Sequence, residues 1–164
     1  MERKTKIEAL LLLGANMGDV KKTFTHAIAE LGELGRIVSR SLLYSSPSWG
    51  FEASDFLNQV LIIETELSPQ ELLNNILNVE KHIGRVRAGS GYQSRIIDID
   101  IILIKDTIIK TKELVVPHPK MQERKFVLVP CNEIAADWQH PVLNCSISDL
   151  LEKCEDSSII TKVL

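Results

Sequence analysis

A chain of 164 residues, 45% apolar and 25% charged, has the make-up of a globular protein that buries roughly 70% of its unfolded surface. A net charge of −3 excludes a global basic field of the kind that holds nucleic acid, so any anion site must be a local cluster. The three cysteines, Cys131, Cys145 and Cys154, have neither metal-type spacing nor a disulfide framework, which predicts reduced thiols in a cytoplasmic protein.

The opening MERKTKIEALLLLGAN imitates a signal peptide, but Glu8 interrupts the apolar run and no A-x-A site follows. No stretch approaches the roughly 20 apolar residues of a membrane span. Ile7 to Leu13 reads as a buried strand. GANMGD then turns, with Asp19 as the N-cap of a helix whose stripe is Val20, Phe24, Ala27, Ile28 and Leu31. Gly32 or Gly35 ends it. Ile37 to Ser46 reads as a second strand, SSPSWGFEASD as a turn-rich loop, and Phe56 to Thr65 as a third strand.

Ser68-Pro69-Gln70-Glu71 is a capping box with proline at the first helical position. Leu72, Ile76, Val79 and Ile83 make the stripe of the helix that follows, and Gly84 suits its C′ position. A loop leads into the strand RIIDIDIILI, Arg95 to Ile104. The order βαββαβ is that of the split βαβ, ferredoxin-like unit. The expected class is therefore α+β: a mostly antiparallel sheet in one domain over residues 1–164. A β-like pair near Ile108 and Val115 forms a C-terminal hairpin, and helical pieces follow near Met121, Cys131 and Ile147.

Four groups carry chemistry. Asp98 and Asp100 share one face of their strand while Ile97, Ile99 and Ile101 take the other. Neighbouring carboxylates repel, and burial makes ionisation costlier. A hard divalent cation relieves both, and Mg²⁺ commonly uses one or two carboxylates plus substrate phosphates; a sheet edge with one wet face is the plainer account. The preceding loop, GRVRAGSGYQSR, holds Arg85, Arg87 and Arg95 among glycines and no acid. Arginine's planar fork suits phosphate, though a solvated surface loop would look similar. In VPHPKMQERKF, His118 lies between prolines with Lys120, Arg124 and Lys125 nearby. It serves either a phosphate or its own turn. His82, at the end of its helix, is read as structural, since a cation there complements the helix dipole. Phe56 and Asn58 share a strand face, where a ring and an amide can hold a flat heterocycle. They can equally be core and turn residues.

Together, GANMGD, YSSPSWG, DFLNQV, VEKHIGRVR, RIIDIDIILI and VPHPKMQERKFVLVP resemble the 6-hydroxymethyl-7,8-dihydropterin pyrophosphokinases of folate biosynthesis, over nearly the whole chain. The resemblance implies transfer of pyrophosphate from ATP to the pterin hydroxymethyl group, releasing AMP. It implies that Asp98 and Asp100 hold two Mg²⁺ ions and that Arg85 and Arg95 steady the developing charge. Glu80, Arg87, Ile101, His118 and Arg124 fall to the nucleotide. Phe56 and Phe126 sandwich the pterin, Asn58 reads its edge, and Ser46, Pro47 and Trp49 line its pocket. The implied partners are these small molecules, for a cytoplasmic monomer that needs neither nucleic acid nor membrane.

Ala15, Leu77, Tyr92 and Glu113 depart from the bacterial pattern, where serine, glutamine, tryptophan and a basic residue are usual. Leu77 loses an amide and Glu113 reverses a charge on the nucleotide side. Two rival readings are a non-catalytic ferredoxin-like ligand-binding module and another Mg²⁺-dependent nucleotidyl- or phosphotransferase. An RNA-binding domain lacks its aromatic signature here.

Overall fold

A computed structural model describes residues 5–47, 55–84 and 96–163. β1 (Ile7–Ala15) lies between β4 (Phe56–Thr65) and β5 (Asp98–Ile104), antiparallel to both. The strands β2 (Arg36–Arg40) and β3 (Leu43–Ser46) both lie along β4. With α1 (Val20–Leu31) and α2 (Pro69–Ile83) as crossovers, this is the expected ferredoxin-like α+β core.

The second strand differs from its expected single run over Ile37 to Ser46. It breaks at Ser41 and Leu42, and hydrogen bonds hold the break open. Ser41 Oγ accepts from Val60 N–H at 2.9 Å, and the Ser41 carbonyl accepts from Gln59 Nε2 at 2.8 Å. The two halves therefore meet β4 in separate registers.

Both faces of the sheet are covered, which explains why β1 reads as an unbroken apolar run rather than an alternation. Leu11, Leu13, Leu61 and Ile63 pack under α1 and α2. Leu10, Leu12, Val60 and Ile62 pack under the C-terminal elements, chiefly α3 (Lys125–Ala135) and α4 (Ile147–Lys153). The punctuation works as read. Asp19 accepts from Lys22 N–H, Ser68 and Glu71 form the reciprocal capping box, and Gly84 closes α2 with a φ of 115°. His82 binds Glu30 at 2.9 Å, so it ties α2 to α1.

The C-terminal part holds the expected hairpin, β6 (Ile109–Lys110) with β7 (Val115–Val116). It also holds two features without periodic signal. One is a second hairpin, β8 (Gln139–His140) with β9 (Cys145–Ser146); the other is a final strand, β10 (Thr161–Val163), added to the outer edge of β3. On α3, Glu133 accepts hydrogen bonds from the Tyr44 hydroxyl and the Leu42 N–H, clamping the helix to the break between β2 and β3. Burial, then this contact, push the Tyr44 hydroxyl up to about 12. Among the described residues no helix is long and apolar enough to cross a membrane.

His140 is 5% exposed, and its Nδ1 accepts from the Val142 and Leu143 N–H groups. Burial lowers its pKa from 6.5, partly offset by its backbone hydrogen bond. The unfolded chain then takes up the proton first as pH falls, so stability is full above 6.5 and declines below it. The slope for one such group is at most about 1.4 kcal/mol per pH unit. His140→Asn keeps an acceptor for the same turn. Urea titrations between neutral and mildly acidic pH are expected to show a shallower decline for that variant than for the wild type.

Candidate active site

The site is built on one row of the sheet. Gly14 of β1 pairs with Asn58 of β4 on one side and Asp98 of β5 on the other. Tyr44 of β3 pairs with Asn58, and Ser46 with Phe56. Phe56, Asn58, Gly14, Asp98 and Asp100 thus face the C-terminal side, where α3 leaves the end of the sheet uncovered. They line a cleft of about 240 Å³ with Ser46, Pro47, His118, Arg124 and Phe126. Eleven of the expected site residues fall among the described residues; nine line the cleft, and Glu80 and Ile101 do not.

Asn58 is 3% exposed, and its Nδ2 donates to Ser46 Oγ at 2.8 Å. That bond turns Oδ1 toward Gly14, where an added Cβ would stand 3.4 Å from it. Gly14 is the residue that sequence reasoning missed, because GANMGD reads as a turn whereas Gly14 lies inside β1. A glycine within a strand is itself a signal that something approaches the backbone closely.

The two aspartates lie on one face, as their spacing requires, but the strand is less buried there than its isoleucines suggest. Asp98 is half-buried and Asp100 exposed, so water relieves part of their repulsion. Among the described residues no group of three or more His, Cys, Asp or Glu side chains could hold a metal ion. Two carboxylates at an open cleft suit a cation that keeps waters and shares a polyphosphate, which is the behaviour of Mg²⁺.

A β-bulge places the histidine. The β1–β5 register shifts between Leu10 and Leu11, leaving Ile102 as the extra residue. Its carbonyl accepts from His118 N–H at 2.7 Å. His118 Nδ1 accepts from Lys120 N–H at 3.2 Å, which leaves Nε2 as the protonated nitrogen of the neutral ring. Burial lowers the His118 pKa; the Asp100 carboxylate opposes this, and Arg124 and Lys120 reinforce it. Arg124 stacks over the Phe126 ring at 5.7 Å, a cation–π contact that links the two.

Two expected nucleotide residues stand apart from the cleft lining. Ile101 is 5% exposed, and its side chain packs in the core on the α1 and α2 side. The alternation of the strand turns it away from the aspartates, so no side-chain contact with a ligand in the cleft is open to it. Glu80, 4% exposed on α2, accepts from Ile99 N–H at 2.9 Å. It thereby braces β5 between the two aspartates. Trp49, Arg85, Arg87 and Arg95 lie outside the described residues. Of the departures from pattern, Leu77 is 37% exposed on α2 and Glu113 is exposed in the β6–β7 turn.

A ferredoxin-like domain with paired carboxylates, a histidine and an arginine around one cleft belongs among phosphate-handling α+β enzymes. Residues 10–136 match the family described as 7,8-dihydro-6-hydroxymethylpterin-pyrophosphokinase. The chain is 45% identical over 131 residues to the 2-amino-4-hydroxy-6-hydroxymethyldihydropteridine pyrophosphokinase of Aquifex aeolicus, covering 79% of this chain and 81% of that one. It is 37% identical over 153 residues to the Synechocystis enzyme of the same name, covering 92% and 78%. A crystal structure of a Plasmodium falciparum HPPK-DHPS variant with SDX-DHP shares the fold, with a TM-score of 0.72 at 18% identity. The match covers 93% of this chain, which spans less than half, 46%, of that one. The chain belongs to the 7,8-dihydro-6-hydroxymethylpterin-pyrophosphokinase family.

Replacing Glu80 by alanine leaves the Ile99 N–H without this acceptor. A lost partner for a buried donor costs about 1–3 kcal/mol. Glu80→Ala is expected to lower stability by that amount in urea unfolding, and Glu80→Gln, which keeps an acceptor, by less.

Proposed function

We propose that this chain transfers pyrophosphate from MgATP to the hydroxymethyl group of 6-hydroxymethyl-7,8-dihydropterin, giving the pterin diphosphate and AMP for folate synthesis. One observation carries the reading: a ring-binding end (Phe56, Asn58, Phe126) and a phosphate-handling end (Asp98, Asp100, His118, Arg124) share a single cleft. Family membership supports the same reaction.

In this reading Phe56 and Phe126 clasp the pterin. Asn58 Oδ1, turned inward by the bond from Nδ2 to Ser46, accepts a hydrogen bond from an N–H at the edge of the ring. Asp98 and Asp100 would hold two Mg²⁺ ions, which supply charge neutralisation to the triphosphate and a fixed direction to the attacking oxygen. His118 Nε2–H and Arg124 donate to phosphate oxygens. Arg85 and Arg95 steady the developing charge, Arg87 assists, and Trp49 and Pro47 close the pterin end.

The pterin hydroxyl oxygen forms a bond to the β-phosphorus as the bond from that phosphorus to the α,β-bridging oxygen breaks. AMP leaves with that oxygen, and the hydroxyl proton departs toward the aspartate pair. Positioning and electrostatics then supply most of the acceleration. The enzyme would act in the cytoplasm as a monomer. The free thiols of Cys131, Cys145 and Cys154 support that compartment.

The test is an assay with MgATP and the hydroxymethyl pterin, separating nucleotide products. AMP is the expected product; ADP alone would rule out pyrophosphoryl transfer and favour a different phosphotransferase. Asp98→Ala should keep the fold and lose at least about two orders of magnitude in kcat. A wild-type rate in that variant would remove the metal assignment.

Gly14→Ala probes the floor of the cleft. Its added methyl meets only Asn58 Oδ1, at 3.4 Å, so unfolding is expected to change by less than about 0.5 kcal/mol. Overpacking at a ligand surface costs about 1–3 kcal/mol. Calorimetry should therefore show pterin affinity reduced by about tenfold or more.

A further inference from the structure

The N-terminus of α3 carries Arg124 and Phe126 into the cleft, yet the helix does not cap itself. Arg124 holds the N-cap position, with φ −127° and ψ 110°, and makes no capping hydrogen bond. The first N–H groups of a helix need acceptors from outside it. Here the acceptor comes from far along the chain: Asp156 Oδ2 takes the Lys125 N–H at 2.9 Å. The other oxygen of that carboxylate is held by Ser158, from its hydroxyl at 2.6 Å and its N–H at 2.9 Å. A few residues later β10 pairs with β3, Thr161 opposite Ser45, beside the cleft residue Ser46. The segment between α4 and β10 thus spans from one wall of the cleft to the other. It lies beyond residues 10–136, where the family match ends.

Building on the pyrophosphokinase reading, we propose that Asp156 is a positioning residue for the transfer, acting through the N-terminus of α3 on Arg124 and Phe126. An N-cap is usually Ser, Thr, Asp or Asn, whose short side chain folds back onto its own helix. Supplying the cap from Asp156 releases position 124 from that duty. An arginine can then stand there with its guanidinium over the Phe126 ring and its charge on the cleft. Ser158 orients the carboxylate, and β10 anchors the strap to the opposite wall.

The experiment compares wild type, Asp156→Ala and Asp156→Asn in steady-state assays that quantify AMP. Hydrogen exchange is followed at the amides of residues 125–128. Removal of a cap predicts faster exchange there in Asp156→Ala and KM values for both substrates raised about fivefold, with kcat changed less. Asparagine keeps a side-chain oxygen for the Lys125 N–H and should restore KM to within about twofold of wild type. Unchanged KM values in an Asp156→Ala protein shown by circular dichroism to be folded at the assay temperature would overturn the positioning role. So would an asparagine variant no better than alanine. A wild-type protein that releases no AMP would instead overturn the functional reading, and this inference with it.

Discussion

The antiparallel register of β1 against its two neighbours is the constraint on which the site depends. Gly14 must fall opposite both Asn58 and Asp98. A slip of one residue would turn every side chain of β1 to the other face, placing Leu13 or Ala15 on the floor of the cleft. The apolar packing on both faces prevents that slip. Leu11 and Leu13 are sealed under α1 and α2, while Leu10 and Leu12 are sealed under the C-terminal helices. The core therefore acts on function directly, by holding an amide and a carboxylate either side of a bare stretch of backbone.

The polar side chains of the cleft are set by hydrogen bonds from groups beside or behind them, or by backbone irregularities. Glu80 braces the strand between Asp98 and Asp100. The carbonyl at the Ile102 bulge holds the His118 backbone. Ser46 fixes the amide of Asn58. In each case a hydrogen bond from outside the reacting groups selects one geometry for a side chain that would otherwise sample several. Such support is what precise positioning for group transfer requires.

Much of this was legible in sequence where a local rule sufficed. β4 runs from Phe56 to Thr65 as its composition indicates, and α2 starts at its capping box and ends at Gly84. Period-two alternation put Asp98 and Asp100 on one face, and the structure agrees. What escaped depends on distant partners. The break at Ser41 is made by Gln59 and Val60 across the sheet. The bulge at Ile102 appears only once β1 is alongside. β10 has three residues and no pattern of its own; it exists because β3 offers an edge. Ile101 falls to the nucleotide on the family resemblance alone, while strand alternation turns its side chain into the core under α1 and α2. The apolar surroundings of Asp100 suggested burial, but the cleft opens on that side and leaves it in water.

The opposite border of the sheet has a further consequence. Among the described residues β5 is the last strand on its side, and a border rich in isoleucine invites a second molecule to add a strand of its own, the usual start of edge-to-edge aggregation. The Glu80 carboxylate already occupies the N–H of Ile99 on that border. An incoming chain would have to displace a buried anion before it could zip on. The same side chain that braces the aspartate strand thus acts as a guard for solubility.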